Sequence, residues 1–156
     1  MVDHAQAIRE KESDAGHTVM LVDPDPSIAV VFREFFKDFF SGEAYIMLHT
    51  ASAWEALDRL KSGKIDLIIT DLRLAHYSGL SLLARARAVP YNVPIIVMSA
   101  FTDLMSEEEW KMLGATEFIS KPPDRARLRE TISRILGSQA GAASTKTGKH
   151  KIKIKE

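Results

Sequence analysis

The sequence contains no cysteine among its 156 residues, which excludes disulfide bonds and metal sites built on thiolates. A chain without cysteine suits a reducing compartment, so we expect the cytoplasm. No stretch reaches the roughly 18 apolar residues that a membrane span requires. The N-terminus MVDHAQAIREKESDAGH carries charges of both signs and lacks the apolar segment of a signal peptide. We therefore expect no contact with a membrane.

The chain also lacks an excess of either charge. Lysine and arginine total 21, as do aspartate and glutamate, so the formal net charge is zero. No global field favours nucleic acid, and we expect no direct DNA binding. The G-x-G-x-x-G and G-x-x-x-x-G-K loops that bind nucleotide phosphates are absent, and no histidines stand at metal-ligand spacing.

Hydrophobic residues make up 46% of the chain, which is enough for a real core. Five apolar runs of strand length alternate with segments whose apolar residues recur at helical spacing: TVMLV, AYIML, IDLIIT, VPIIVM and TEFI. Continuous apolar strands separated by helices predict a parallel sheet covered on both faces. We expect an α/β protein, a flavodoxin-like doubly wound (βα)5 sheet with strand order 2-1-3-4-5.

Two helix starts are legible in the sequence. In MLVDPDP, Pro26 suits the first helical position and Asp25 before it suits the N-cap. A metal contact by Asp25 is a second interpretation, and both stay open. Ser52 and Glu55 stand at the spacing of a capping box, in which each side chain accepts from the other residue's backbone amide.

The domain boundaries follow from changes in composition. Residues 1–17 are polar and predict a flexible N-terminal extension, residues 18–137 carry the repeating pattern, and residues 138–156 predict a flexible basic tail. The tail has five lysines and one glutamate. It is interpreted as solvated, or as a weak electrostatic contact for an acidic partner or nucleic acid.

Polar residues follow the apolar runs at the ends where ligands bind in this fold. Asp23 follows the first run, Asp71 the third, Ser99 the fourth and Lys121 the fifth. Because the carboxyl ends of parallel strands share one edge, these side chains should face one crevice. Carboxylates suit Mg²⁺, and the hydroxyl and ammonium suit an anion beside it. Such a site can stabilise a transferring phosphoryl group, with one carboxylate as the acceptor.

Three segments, in this order and spacing, resemble the receiver domains of two-component response regulators: DLIITDLRLAHYSGLSLL, PIIVMSA and GATEFISKPPD. The resemblance covers about residues 17–137. It implies a switch rather than an enzyme, phosphorylated by a sensor histidine kinase or a histidine phosphotransfer protein. It also implies output through a downstream protein partner or a self-dimer, using helix 4, strand 5 and helix 5. A flavodoxin-like enzyme with a magnesium-dependent phosphate substrate is a remote alternative.

The resemblance also implies residue roles. Asp71 is the phosphoacceptor, Ser99 bonds the phosphoryl oxygen, and Lys121 pairs with the phosphoryl group or with Asp71. Phe118 is the switch aromatic, which moves as Ser99 moves. A cis peptide is expected between Lys121 and Pro122. The implied Mg²⁺ ligands are Asp23, Asp71 and the backbone carbonyl of Arg73, with Asp25 as a doubtful fourth.

One departure from the family pattern concerns the metal. Pro24 stands where the family has a second adjacent acid, and its side chain cannot bind Mg²⁺. We therefore expect weak Mg²⁺ binding, and an alternative function: a phosphorylation-impaired pseudo-receiver that acts as a protein interaction module. The side chain of Arg73 can pair with Asp71, replace part of the cation's charge, or shield a phosphoryl group.

Overall fold

The computed structural model describes residues 16–40, 45–63, 65–74, 77–89, 92–100 and 106–146. Five parallel strands form its sheet: β1 (His17–Val22), β2 (Tyr45–Thr50), β3 (Leu67–Asp71), β4 (Ile95–Ser99) and β5 (Glu117–Ser120). Their order is β2-β1-β3-β4-β5, which confirms the expected topology. A short antiparallel ladder outside this sheet, which the sequence analysis did not anticipate, joins Arg73–Leu74 to Tyr77–Ser78.

Helices cover both faces of the sheet. They are α1 (Pro26–Phe39), α2 (Ala53–Lys61), α3 (Gly79–Ala86), α4 (Glu107–Met112) and α5 (Arg125–Lys146). Successive strand residues point to opposite faces. On one face, Met20 of β1 packs in a core with Leu83 of α3 and Trp110 of α4. On the other, Leu21 packs in a core with Phe32 of α1 and with α5. Burial on both faces explains why the strands are continuously apolar.

The N-cap prediction for α1 is confirmed. The Asp25 carboxylate accepts from the Ser27 backbone N–H at 2.9 Å and from the Ser27 hydroxyl at 2.7 Å, and Pro26 is the first helical residue. This arrangement satisfies one of the amides that a helix N-terminus leaves without an intrahelical partner.

The capping box expected at Ser52 and Glu55 is only half formed. Ser52 Oγ accepts from the Glu55 backbone N–H at 3.3 Å. The Glu55 carboxylate, however, accepts from the Thr50 hydroxyl at 2.7 Å, because the Ser52 N–H already donates to Thr50 Oγ1 at 3.0 Å. A complete box forms instead at the start of α4, where Ser106 and Glu109 accept from each other's backbone amides.

The last helix is longer than the sequence pattern indicated. The last buried apolar residue whose side chain is described is Leu136, and the helical backbone continues to Lys146, past the expected boundary after residue 137. The continuation QAGAASTK contains three alanines, the strongest helix former, which explains why the helix persists. The expected flexibility of the tail stays a prediction, and residues 1–15 and 147–156 lie outside the described ranges. No helix within those ranges is long and apolar enough to cross a bilayer.

Candidate functional site

Strand register brings two carboxylates to the carboxyl edge of the sheet. Val22 pairs with Thr70 in the β1–β3 ladder, so Asp23 just after β1 and Asp71 at the end of β3 lie side by side at the edge of the sheet. Lys121 follows β5 directly, and its peptide bond to Pro122 is cis, as expected. Three of the residues singled out by the sequence pattern therefore meet at one edge.

The Lys121 ammonium joins the two carboxylates. Its Nζ donates to Asp23 Oδ2 at 2.7 Å and to Asp71 Oδ2 at 3.0 Å. The side chains of Lys121 and Asp71 retain 19% and 15% of their exposure, whereas that of Asp23 retains 1%. Burial alone lowers the pKa of Lys121, but its hydrogen bonds to the two carboxylates outweigh burial and raise that pKa. The site is therefore a partly exposed acid beside a lysine that is charged at neutral pH, with a buried acid behind them.

Every polar atom of Asp23 has a partner. Besides the contact with Lys121, its Oδ1 accepts from the Asp25 backbone N–H at 2.9 Å. Its own N–H donates to the Thr50 carbonyl at 3.0 Å, and its carbonyl lies 3.0 Å from His49 Nε2. The sequence pattern does not single out His49. No local signal indicates this contact, because it depends on the pairing of β1 with β2.

Asp71 is held by the loop that follows it. Its Oδ1 accepts from the Arg73 backbone N–H at 3.2 Å, and the Thr70 hydroxyl donates to its carbonyl at 3.0 Å. A Cβ built on Gly79 would lie 2.7 Å from the Asp71 carbonyl oxygen, so only glycine lets the start of α3 pass this close. The segment that leaves Asp71 is therefore compact, with Arg73 contacting Asp71 through its backbone.

Asp25 does not join the two acids. Its carboxylate is committed to capping α1, and the side-chain and backbone hydrogen bonds from Ser27 lower its pKa. Across the described part of the chain, no group of three or more His, Asp or Glu side chains is placed to hold a metal ion. Asp25 Oδ1 accepts both hydrogen bonds from Ser27, and the assignment of Asp25 as a fourth metal ligand stays a prediction.

Ser99 and Phe118 lie on the two strands nearest Lys121. Ser99 ends β4 with 1% exposure, and its carbonyl accepts from the Lys121 backbone N–H at 2.8 Å. Phe118 on β5 is 9% exposed and stacks on Trp110 of α4, with ring centroids 5.8 Å apart and an interplanar angle of 19°. The site edge is thus connected through one strand pair to the face of α4.

This order of strands, with two acids and a lysine at their carboxyl edge, agrees with comparison to known families. The family model of the response regulator receiver domain matches residues 19–133. The chain belongs to this family. It is 27% identical over 118 residues to sporulation initiation phosphotransferase F of Bacillus subtilis, covering 76% of this chain and 92% of that protein. This receiver domain is also 28% identical to the transcriptional regulatory protein ZraR of Salmonella typhimurium, covering 76% of the chain but 26% of that longer protein.

Solved receiver domains share the fold. The receiver domain of a sensor histidine kinase from Pseudomonas aeruginosa, with a magnesium ion coordinated in its active-site cleft, is 26% identical. The TM-score is 0.68, and the match covers 79% of this chain and 99% of that one. The receiver domain of a Francisella response regulator, at 24% identity, matches with a TM-score of 0.66 over 79% of this chain and 98% of its own. Both support the receiver fold found here.

Proposed function

We propose that this receiver domain accepts a phosphoryl group on Asp71 from a phosphohistidine of a sensor histidine kinase or histidine phosphotransfer protein. The observation that carries the proposal is the Lys121 ammonium, 3.0 Å from Asp71 Oδ2 and 2.7 Å from Asp23 Oδ2. Phosphoryl transfer depends mainly on positioning and charge neutralisation, which a fixed ammonium beside an accessible carboxylate supplies. The name of the Bacillus subtilis relative, a phosphotransferase, agrees with this chemistry.

The transfer needs few groups from the protein. An oxygen of Asp71 attacks phosphorus, the new O–P bond forms as the N–P bond to histidine breaks, and the departing imidazole takes a proton from solvent. Lys121 moves its hydrogen bond from Asp71 Oδ2 to a phosphoryl oxygen. The hydroxyl of Ser99, at the end of β4, donates a second hydrogen bond to the phosphoryl group. The raised pKa of Lys121 keeps its charge available throughout.

The donors at this edge fit a magnesium ion that keeps several waters. Asp23, Asp71 and the backbone carbonyl of Arg73 would hold it, since Mg²⁺ takes hard oxygen ligands and retains water. When bound, the ion neutralises charge that develops on the transferring group. Pro24 adds no oxygen and Asp25 caps α1, so two carboxylates are present where the family resemblance implies three. We expect weak binding for this reason.

The same proposal includes an output surface. Phosphorylation would shift Ser99 and Phe118 and thereby change the surface of α4, β5 and α5. Phe118 is buried and stacks on Trp110 of α4. At the end of α4, Met112 is 87% exposed and Leu113 45% exposed, so a downstream protein or a second copy has apolar surface to contact there.

A second candidate function is a phosphorylation-impaired pseudo-receiver that serves as a fixed docking module. Two observations favour it: Lys121 already contacts both carboxylates and offsets part of their charge, and Pro24 stands where the family resemblance implies an acid. In this case the site would stabilise the fold, and partners would bind the same surface whether or not a phosphodonor is present.

Intact-mass measurement after incubation with Mg²⁺ and a small phosphodonor separates the two candidates. We expect one phosphoryl adduct on the wild type and none on Asp71→Asn. Asp58→Asn is the matched control, since it removes an exposed acid on α2 away from the site. Beryllofluoride, a phosphoryl mimic, should change the Trp110 fluorescence of the wild type, because Trp110 contacts Phe118.

The contrary outcomes are distinct. A wild type that forms no adduct and shows no beryllofluoride response would support the pseudo-receiver. An adduct that survives Asp71→Asn would refute the acceptor assignment alone. Pro24→Asp should strengthen Mg²⁺ binding; unchanged binding would show that the proline is not what limits the metal site.

A further inference from the structure

The connection between β1 and α1 consists of Asp23, Pro24 and Asp25. Pro24 has no N–H, so it donates no hydrogen bond that could fasten the turn. The turn is fastened through Asp23 instead, whose N–H donates to the Thr50 carbonyl and whose carboxylate accepts from the Asp25 N–H and from Lys121. These contacts engage the N–H and the carboxylate of Asp23, whereas its carbonyl needs a separate donor.

His49 on β2 supplies that donor. Leu21 is the β1 partner of His49 in the ladder, and the ring reaches the carbonyl two residues further along β1, with Nε2 3.0 Å from the Asp23 oxygen. A carbonyl only accepts, so Nε2 carries the hydrogen and donates. Asp23 has 0% exposure, so water does not take the place of this donor. The contact is therefore the hydrogen bond that satisfies a buried acceptor.

We propose that His49 is a positioning residue of the receiver site: by holding the Asp23 carbonyl it orients the Asp23 carboxylate toward Lys121 and toward a bound Mg²⁺. The carbonyl and the side chain share one Cα, and the backbone φ and ψ angles decide which staggered rotamers are allowed, so holding the carbonyl restricts where the carboxylate can lie. Pro24, on the other side of that peptide, cannot hold it by hydrogen bonding. The functional meaning of this contact rests on the proposed phosphoryl acceptance; the positioning itself does not.

Three variants isolate the hydrogen bond. His49→Leu removes the donor, and His49→Gln retains an N–H donor at a similar reach. Met47→Leu is the matched control, since Met47 lies two residues earlier on β2, on the same face, and packs against the core under α1. All three keep β2 and its ladder with β1, so a general loss of the strand is not the expected result.

The first measurement needs no metal. Hydrogen exchange of the Asp25 backbone amide reports on Asp23 directly, because that amide donates to Asp23 Oδ1 at 2.9 Å. In metal-free buffer we expect roughly tenfold faster exchange in His49→Leu, the effect of losing one net hydrogen bond. The wild-type rate should persist in His49→Gln and in Met47→Leu.

The second measurement is the affinity for Mg²⁺, which is obtained from the rise in Tm with Mg²⁺ concentration. His49→Leu should bind Mg²⁺ about tenfold more weakly, as is usual when a residue that orients a metal ligand is lost. His49→Gln should restore most of the affinity. A wild type with no Mg²⁺ response would refute the magnesium-dependent function, while the amide measurement would still decide the role of His49.

Three results would overturn the proposal. The Asp25 amide could exchange at the wild-type rate in His49→Leu. Hydrogen exchange could instead become faster to the same extent at every backbone amide of the sheet in that variant. This result would show that His49 stabilises the sheet as a whole and does not position Asp23. His49→Gln could also behave as His49→Leu in both measurements, which would show that the donor is not what matters.

Discussion

Replacing Lys121 by methionine removes the ammonium that contacts both Asp23 and Asp71. Methionine keeps an unbranched stem, so packing changes little, but Asp23 Oδ2 and Asp71 Oδ2 each lose a donor at 2.7 and 3.0 Å. Both oxygens contact the same Nζ and thus lie within roughly 6 Å of each other, a distance at which like charges repel. Because only 1% of the Asp23 side chain is exposed, solvent cannot replace the hydrogen bond that its carboxylate loses.

The magnitude follows from burial. Removing one partner of a fully buried ion pair costs about 3–5 kcal/mol of unfolding free energy. Lys121 and Asp71 are partly exposed, which places this case near the lower limit, about 3 kcal/mol. For a domain of this size the Tm should fall by about 10 °C in EDTA. Excess Mg²⁺ should stabilise Lys121→Met more than the wild type, because the ion no longer competes with the ammonium for the same two carboxylates.

Urea unfolding followed by Trp110 fluorescence, in EDTA and in excess Mg²⁺, checks the loss of unfolding free energy and the larger stabilisation of Lys121→Met by Mg²⁺. Lys121→Arg is the control, since it keeps the charge, and it should lose less than half as much stability. A Lys121→Met protein as stable as the wild type in EDTA would refute the reasoning on burial. Equal stabilisation of both proteins by Mg²⁺ would refute the competition between lysine and metal.

The remaining predictions concern pH, the α1 cap and the partly buried Arg87. The pKa of Lys121 is raised above 10.5, so its contribution to stability is complete below about pH 10.5 and is lost as the pH rises through the higher folded-state pKa. The stability gap between wild type and Lys121→Met should therefore close in alkaline urea titrations, and a constant gap would contradict the ion-pair origin. Asp25→Ala should lower the Tm by a few degrees through loss of the N-cap, with the Mg²⁺-induced rise in Tm unchanged; a lost Mg²⁺ response would make Asp25 a ligand after all. Arg87→Met should cost about 2 kcal/mol in urea unfolding, because the guanidinium donates to the Gly114 carbonyl at 3.1 Å and the Val93 carbonyl at 3.0 Å, and burial has lowered its pKa. Arg87→Lys should recover only part of the lost stability, since one ammonium cannot reproduce the planar guanidinium that donates to both carbonyls. Full recovery of stability would contradict this geometry.

Much of the fold was predictable because its signals are local. Apolar runs of strand length and the helical spacing between them predicted a doubly wound parallel sheet, whose expected strand order is the one found in the structure. The half-formed capping box at Ser52 and Glu55 shows the limit. The Thr50 hydroxyl, on the preceding strand, donates to Glu55 and accepts from the Ser52 backbone amide, which the capping box requires. The spacing of Ser52 and Glu55 does not indicate that Thr50 competes for these hydrogen bonds.

The site was predictable as a set of positions and not as a set of contacts. Parallel strands end at one edge, which is a property of topology, so the sequence alone placed Asp23, Asp71 and Lys121 in one crevice. Their pairing joins residues 98 and 50 positions apart, and the His49 contact with Asp23 joins residues 26 apart. Only strand register and side-chain packing decide which atoms meet over such separations. For this reason only the tertiary structure shows that Lys121 contacts both acids and that His49 contacts the Asp23 carbonyl.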